Sequence, residues 1–318
     1  MKPMKNQRSK KPTMSFPRYG KYTPLLSELF TRLGANVIIP PPITKRTTEL
    51  GTLYSPSEVC YPFKITLGTL IEASELGAES VVMANSEGWC ILRCYNIVQA
   101  EIMKAHGYKA AMAPICIRKP IKFVRDAKRL IPGLSVFKLT KEMYRFFKKV
   151  KELDKIEGSI NKNADIKIGI AGEVYVCNEN TVNMDIVKKL QALGVFVDRW
   201  LCLSNNVSML FQDMFGVSNI SKYSRLAKKY FPVRIGGHAN ENLVKLIKYA
   251  EEGYDGAIML KPFACNPETV IEPIVDRISR DYDMPILCLS IDESTLETHF
   301  QTRVESFVDM LKMRKALI

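Results

Sequence analysis

Two separated stretches, EVCYPFKITLG around Cys60 and PFACNPETVIEPI around Cys265, share the spacing Cys-x-Pro. Proline is favoured in the first turn of a helix, where its missing N–H costs nothing, so both cysteines are expected at or just before a helix N-terminus. The partial positive charge and unpaired N–H groups there stabilise a thiolate. Cys90 and Cys94 stand four apart in NSEGWCILRCYN, just after the apolar run SVVMA. If that turn is helical, both side chains lie on one face and could reach one metal or cluster. Packing is the other reading for Cys94.

Cys60, Cys90 and Cys265 fall in loops or at element ends flanked by Gly and Pro, where ligation competes with plain burial. A tetrahedral zinc site normally uses close Cys-x2-Cys-like pairs, and the chain has none. Widely spaced single cysteines drawn from two domains fit an iron–sulfur cluster better. Cys177, Cys202 and Cys288 sit in VYVCN, WLCLS and ILCLS, strand-like contexts where cysteine acts as a small hydrophobe, and Cys116 in APICIR is read the same way. Eight cysteines in a chain expected to remain in the cytoplasm do not form a disulfide framework.

The elements that must position these thiols follow from the apolar pattern. Short apolar runs alternate with helical periodicity, which predicts α/β architecture: two domains, each a parallel sheet with helices on both faces. Expected strands are Met14 to Phe16, NVIIP, SVVMA and KAAMAPI, then IKIGIA, VFVDRWLCL, GAIML and PILCLS. Expected helices include Thr23 to Leu33, Pro62 to Leu76, Ile97 to His106, Val182 to Leu193, Asn240 to Glu252, Pro267 to Arg280 and Leu296 to Lys315. A Lys/Arg-rich helical stretch, RKPIKFVRDAKRL and KEMYRFFKKVKELDK, reads as a connector. The division is a basic disordered tail over 1–12, an N-terminal α/β domain over 13–118, the connector over 119–164 and a C-terminal α/β domain over 165–318. Two domains also suit 318 residues. Cys90 and Cys265 each follow a predicted strand, at the sheet edge where open α/β folds place their ligands.

No apolar stretch approaches the roughly 20 residues that span a bilayer, and no apolar segment follows the basic tail. A membrane segment and a secretory signal are therefore not expected. The formal charge of +13 favours acidic partners. Lys/Arg enrichment without aromatic interleaving usually marks a solvated helix face, so a nucleic-acid or scaffold role is the less favoured alternative, beside a zinc-stabilised binding protein.

The run from FPRYGKYTPLLSELFTRLGANVIIPPP to SPSEVCYPFKITLG resembles the acyl-CoA dehydratase activase-related proteins, also called CoA protein activases. These are relatives of the 2-hydroxyacyl-CoA dehydratase and benzoyl-CoA reductase subunits. GIAGEVYVCNENTVNMDIVKKLQALGV, GGHANENLVKLIKYAEEGYDGAIMLKPFACNPE, SRDYDMPILCLSIDE and QTRVESFVDML extend the resemblance over most of the chain. It implies two Rossmann-like, doubly wound, mostly parallel domains with an iron–sulfur cluster in the cleft at their junction, a [4Fe–4S] centre held by Cys60, Cys90 and Cys265. Cys94, downstream of a departure from the family pattern, could add a ligand, and the double-cubane form of some relatives would need about six and recruit cysteines from strands. It also implies a separate ATP-hydrolysing activator with its own cluster as electron donor, a CoA thioester substrate, and a paralogous subunit or a second copy as partner. The chain would then be a reductase or dehydratase component, or pass electrons to a partner subunit. It carries no G-x-x-x-x-G-K-[ST] or G-x-G-x-x-G loop, in keeping with ATP hydrolysis on another polypeptide. Two stretches depart from the family pattern: Gly88-Trp89-Cys90-Ile91 replaces Gly-Pro-Cys-Arg, and glycines between SIDE and QTR are missing.

Weaker candidates surround these. Gly237 and His238 precede a helix whose N–H groups could cradle a phosphate, with His238 as a proton carrier; an ordinary helix cap is the alternative. Glu58 and Lys64 flank Cys60 and could tune a cluster, or simply be solvated. Glu293, at the end of PILCLS, is an acid/base candidate or a polar rim residue.

Overall fold

The computed structural model describes residues 11–85, 90–116, 119–214, 222–233 and 236–317. The first half runs β1 (Thr13–Ser15), a 3-10 turn (Gly20–Tyr22), α1 (Thr23–Leu33), β2 (Asn36–Val37), α2 (Lys45–Tyr54), α3 (Tyr61–Glu75), β3 (Ser80–Ala84), α4 (Leu92–Ala105) and β4 (Ala111–Ile115). Two helices follow, α5 (Pro120–Leu130) and α6 (Val136–Glu157). The second half runs β5 (Lys167–Gly172), α7 (Val174–Asn178), α8 (Ile186–Ala192), β6 (Phe196–Arg199), α9 (Leu203–Met214) and α10 (Lys222–Tyr230). It closes with α11 (Ala239–Glu251), β7 (Gly256–Pro262), α12 (Asn266–Asp281), β8 (Ile286–Ile291) and α13 (Glu297–Ala316). Among the described residues no helix is long and apolar enough to cross a membrane.

The strands form two four-stranded parallel sheets of identical order, β2-β1-β3-β4 and β6-β5-β7-β8. Registers such as Val81 with Met112 and Ile258 with Leu287 keep the carboxyl ends of neighbouring strands level. Helices cover both faces, which is why the central strands read as unbroken apolar runs: Ile168, Ile170, Ile258, Met259 and Leu260 are fully buried. In each sheet the winding reverses between the second and third strands, that is between β1 and β3 and between β5 and β7. Such a switch point opens a crevice outside the carboxyl ends of its strands. The α/β expectation of two Rossmann-like units is therefore met.

Several local expectations shift for identifiable reasons. The strand in NVIIP is only two residues long, because Pro40, Pro41 and Pro42 supply no ladder donors. VFVDRWLCL leaves the sheet after Arg199, so Cys202 lies in the turn before α9. Cys177 is helical, since Glu173 caps α7 by accepting the Tyr175 and Val176 N–H groups at 2.9 Å each. The expected helix from Val182 starts only at Ile186, after Met184 and Asp185 adopt left-handed φ of 54°. Helix α2, absent from the sequence reading, is held by a Thr44–Thr47 capping box.

The halves are locked together beside α6. Lys21 pairs with Asp154 at 2.9 Å and with Glu157 at 2.8 Å, while buried Arg199 reaches Glu157 at 2.6 Å and the Cys177 carbonyl at 2.6 Å. The Tyr22 hydroxyl donates to Asp154 at 2.6 Å and accepts the Leu203 N–H at 3.1 Å. At Gly20, φ +46°, any Cβ would stand 2.1 Å from the Asn178 carbonyl oxygen, so the backbones touch where only glycine fits.

Candidate functional site

Cys60 is the residue before the first turn of α3, with Pro62 in that turn, and Cys265 occupies the same place before α12, with Pro267. The Cys-x-Pro reading of these two positions is thus what the fold builds. Cys265 follows β7 across Phe263 and Ala264, the latter in a left-handed conformation (φ 60°) that non-glycine residues seldom adopt. Cys90 follows β3, which holds in the first sheet the place that β7 holds in the second. Two of the three cysteines therefore stand after corresponding strands at the two switch points.

The backbone N–H groups of Phe63, Leu92 and Glu268 lower the pKa values of Cys60, Cys90 and Cys265 respectively, as helix starts do. The carbonyls of Cys60 and Cys265 accept the Phe63 and Thr269 N–H groups at 2.9 Å each, while neither side chain closes a capping hydrogen bond. Burial nonetheless dominates. It pushes Cys60 up to about 12 and Cys90 up to about 11, and raises Cys265 well above the ordinary thiol value. Charge adds to burial. The Cys60 thiol is raised further by Glu173 and Cys90, that of Cys90 by Glu173 and Glu268, and that of Cys265 by Glu268, Glu173 and Cys60.

Two carboxylates thus belong to this cluster. Glu173, just after β5, is half-buried, and its pKa is raised by desolvation against the backbone N–H groups it accepts. Glu268, in the first turn of α12, is lifted to about 8 by burial, against the Asn242 hydrogen bonds and with help from Glu173. Asn242 donates to the Glu268 carboxylate at 3.0 and 3.1 Å and to the Gly172 carbonyl at 2.9 Å. Acidic groups from both halves therefore share one electrostatic neighbourhood, in which Glu173 hinders the ionisation of all three thiols and each thiol feels at least one further member. A cationic inorganic centre reverses that logic, since coordination to iron deprotonates a thiol outright. The donor set fits such a group. Among the described residues no three His, Cys, Asp or Glu side chains close into the shell of a single metal ion.

The other sequence candidates are distributed around this core. Gly237, φ +62°, lies against it: a Cβ there would stand 3.1 Å from Pro267 Cγ and 3.9 Å from Cys90 Cβ. His238, half-buried before α11, places Nε2 3.0 Å from Asn206 Oδ1. Buried Lys64 donates to Glu293 across the junction, so these two candidates engage each other. Glu58 is exposed, and Cys94 is half-buried in the first turn of α4. Cys116, Cys177 and Cys202 are buried and Cys288 is half-buried in β8. Gly88, Trp89, Arg234, Ile235 and residues 1–10 of the tail lie outside the described residues.

A family model for the 2-hydroxyglutaryl-CoA dehydratase D-component matches residues 118–311, more than half of the chain. The chain belongs to that family. A second model, the CoA enzyme activase uncharacterised domain, matches residues 17–82. No curated protein matches the chain. The resemblance read from the motifs is borne out by both models. The dehydratase D-component match contains Cys265, Glu173 and Glu268, the activase-domain match contains Cys60, and Cys90 falls between them.

Sequence reasoning missed Glu173, Glu268 and Asn242, together with Tyr95, whose hydroxyl lies 2.7 Å from the Cys60 sulfur. Glu268 stands inside the quoted run CNPE, where an acidic residue in a first helical turn reads as a dipole complement. No local signal marks Tyr95 as a neighbour of Cys60.

Proposed function

We propose that this chain is an iron–sulfur redox component of the 2-hydroxyacyl-CoA dehydratase and benzoyl-CoA reductase type, with Cys60, Cys90 and Cys265 as the ligands of a [4Fe–4S] cluster. The observation that carries the reading is that buried Cys60, at a helix start in the first half, feels the charge of half-buried Cys90, while buried Cys265, at a helix start in the second half, feels that of Cys60. Ligands of a polynuclear cluster bind different irons and stand farther apart than ligands of one ion. When bound, the cluster supplies one-electron chemistry and, with three protein thiolates, an exchangeable position on one iron.

The chain's own residues perform the rest. Cys60, Cys90 and Cys265 give up their protons on ligation, and the first-turn N–H groups of α3 and α12 stabilise the sulfurs they leave. Burial at Cys60 and Cys265 excludes water. Glu268, held by Asn242 and with its pKa raised by burial, is placed to give or take a proton beside Cys265. Lys64 and Glu293 clamp the junction near the Cys60 helix.

The electron donor in this reading is a separate ATP-hydrolysing activator with its own cluster, and the substrate is a CoA thioester. The connector supports docking of an acidic donor: α5 and α6 are rich in lysine and arginine and leave Ile121, Phe137 and Tyr144 exposed among them. Anaerobic purification followed by iron and acid-labile sulfide counting tests the proposal. Iron and sulfide in equal amounts are expected; a colourless protein, or one holding zinc alone, would refute it.

A further inference from the structure

We infer that Tyr95 is a positioning residue whose phenol donates a hydrogen bond to the Cys60 sulfur and thereby raises the reduction potential of the group that Cys60 helps to hold. The inference rests on the cluster reading above and deepens it. The Tyr95 oxygen lies 2.7 Å from Cys60 Sγ, and the two residues are 2 % and 5 % exposed. Either atom could donate in the thiol form, but a ligating sulfur has no proton, which leaves the phenol as donor.

The contact is built rather than incidental. The Tyr95 ring meets Phe63 edge to face, with centroids 4.9 Å apart and planes at 83°. One helical turn beyond Tyr95, Gln99 donates to Thr66 Oγ1 at 2.8 Å and to the Phe63 carbonyl at 3.2 Å, pinning α4 to α3. Cys90 stands just before α4 and Cys60 just before α3, so Tyr95 also ties together the helices that follow two of the ligands.

One added electron increases the negative charge shared by the ligating sulfurs. A fixed donor stabilises that reduced state more than the oxidised one. The phenolic proton remains on Tyr95 throughout, and in the experiment the electron comes from dithionite.

The test is an EPR-monitored dithionite titration of anaerobically purified wild type, Tyr95→Phe and Gln99→Leu, with iron and sulfide counted in each. Tyr95→Phe keeps the ring and removes only the oxygen. It is expected to hold wild-type iron with the equilibrium constant for one-electron reduction lowered about tenfold, which is about 59 mV. Gln99→Leu loosens the same helix pair but keeps the phenol, and is expected to titrate like wild type. An unchanged potential in iron-loaded Tyr95→Phe overturns the inference and leaves the cluster reading intact. Loss of iron in Tyr95→Phe alone supports the oxygen's role, whereas loss in both variants assigns the contact to packing and overturns it. A wild type without iron overturns the inference together with the reading beneath it.

Discussion

Cys60 and Cys265 begin two helices from different halves of the chain in the same way, each followed two residues later by proline, and charge on Cys60 raises the pKa of the Cys265 thiol. Neither thiol ionises readily while both are buried without a cation. The same holds for Cys90, pushed up to about 11 from a reference of 9.0. Two pH units leave about a hundredfold less thiolate at neutral pH, and the thiolate is the nucleophile. Iodoacetamide should therefore label Cys90 of the metal-free chain about a hundredfold more slowly than a free cysteine at pH 7. Peptide mass spectrometry over time checks this, and labelling at the free-cysteine rate would contradict it.

Glu268 gives the metal-free chain a pH-dependent stability. Its folded pKa of about 8 lies above the reference of 4.5, so between these values the folded chain keeps a proton that the unfolded chain has lost. The stability this proton confers is fully present below about pH 4.5 and is lost as pH rises through about 8. This one group accounts for at most ~1.4 kcal/mol per pH unit within the window. Urea unfolding at pH 5 and pH 8 should show a smaller difference for Glu268→Gln than for wild type. An equal difference would remove the carboxyl from this role.

Gly237 is required by both conformation and space. Its φ of +62° is left-handed, and a Cβ would press on Pro267 at 3.1 and 3.2 Å, beside Cys90. Gly237→Ala is expected to lower the unfolding free energy by about 1–2 kcal/mol. Iron retention should fall with it, because the displaced Pro267 belongs to the first turn after Cys265. Thermal unfolding and metal counting measure the two effects; a variant with wild-type stability and iron would show that the contact relaxes freely.

The fold was readable where physics is local. Parallel buried strands leave continuous apolar runs such as GAIML, and Cys-x-Pro marks helix starts, so Cys60 and Cys265 could be placed from their neighbours alone. Cys177 reads as a strand residue because Val174 to Cys177 is an unbroken apolar run, whereas Glu173, capping from outside that run, makes it helical. Tyr95, Glu173 and Asn242 escaped notice for a different reason. Their importance comes from contacts across 35, 70 or more residues, and no spacing rule reaches that far. Lys64 and Glu293 were each legible as charged candidates, whereas their pairing across the junction was not.

The most direct measurement is EPR of the dithionite-reduced protein, with iron counting, on wild type, Cys60→Ser, Cys90→Ser, Cys265→Ser and Cys94→Ser. A cluster shared by both halves gives a wild-type signal that is lost or grossly altered, with reduced iron, in the variants at 60, 90 and 265, and is retained in Cys94→Ser. A wild-type signal that survives substitution of all three, tested one at a time, would contradict the shared centre.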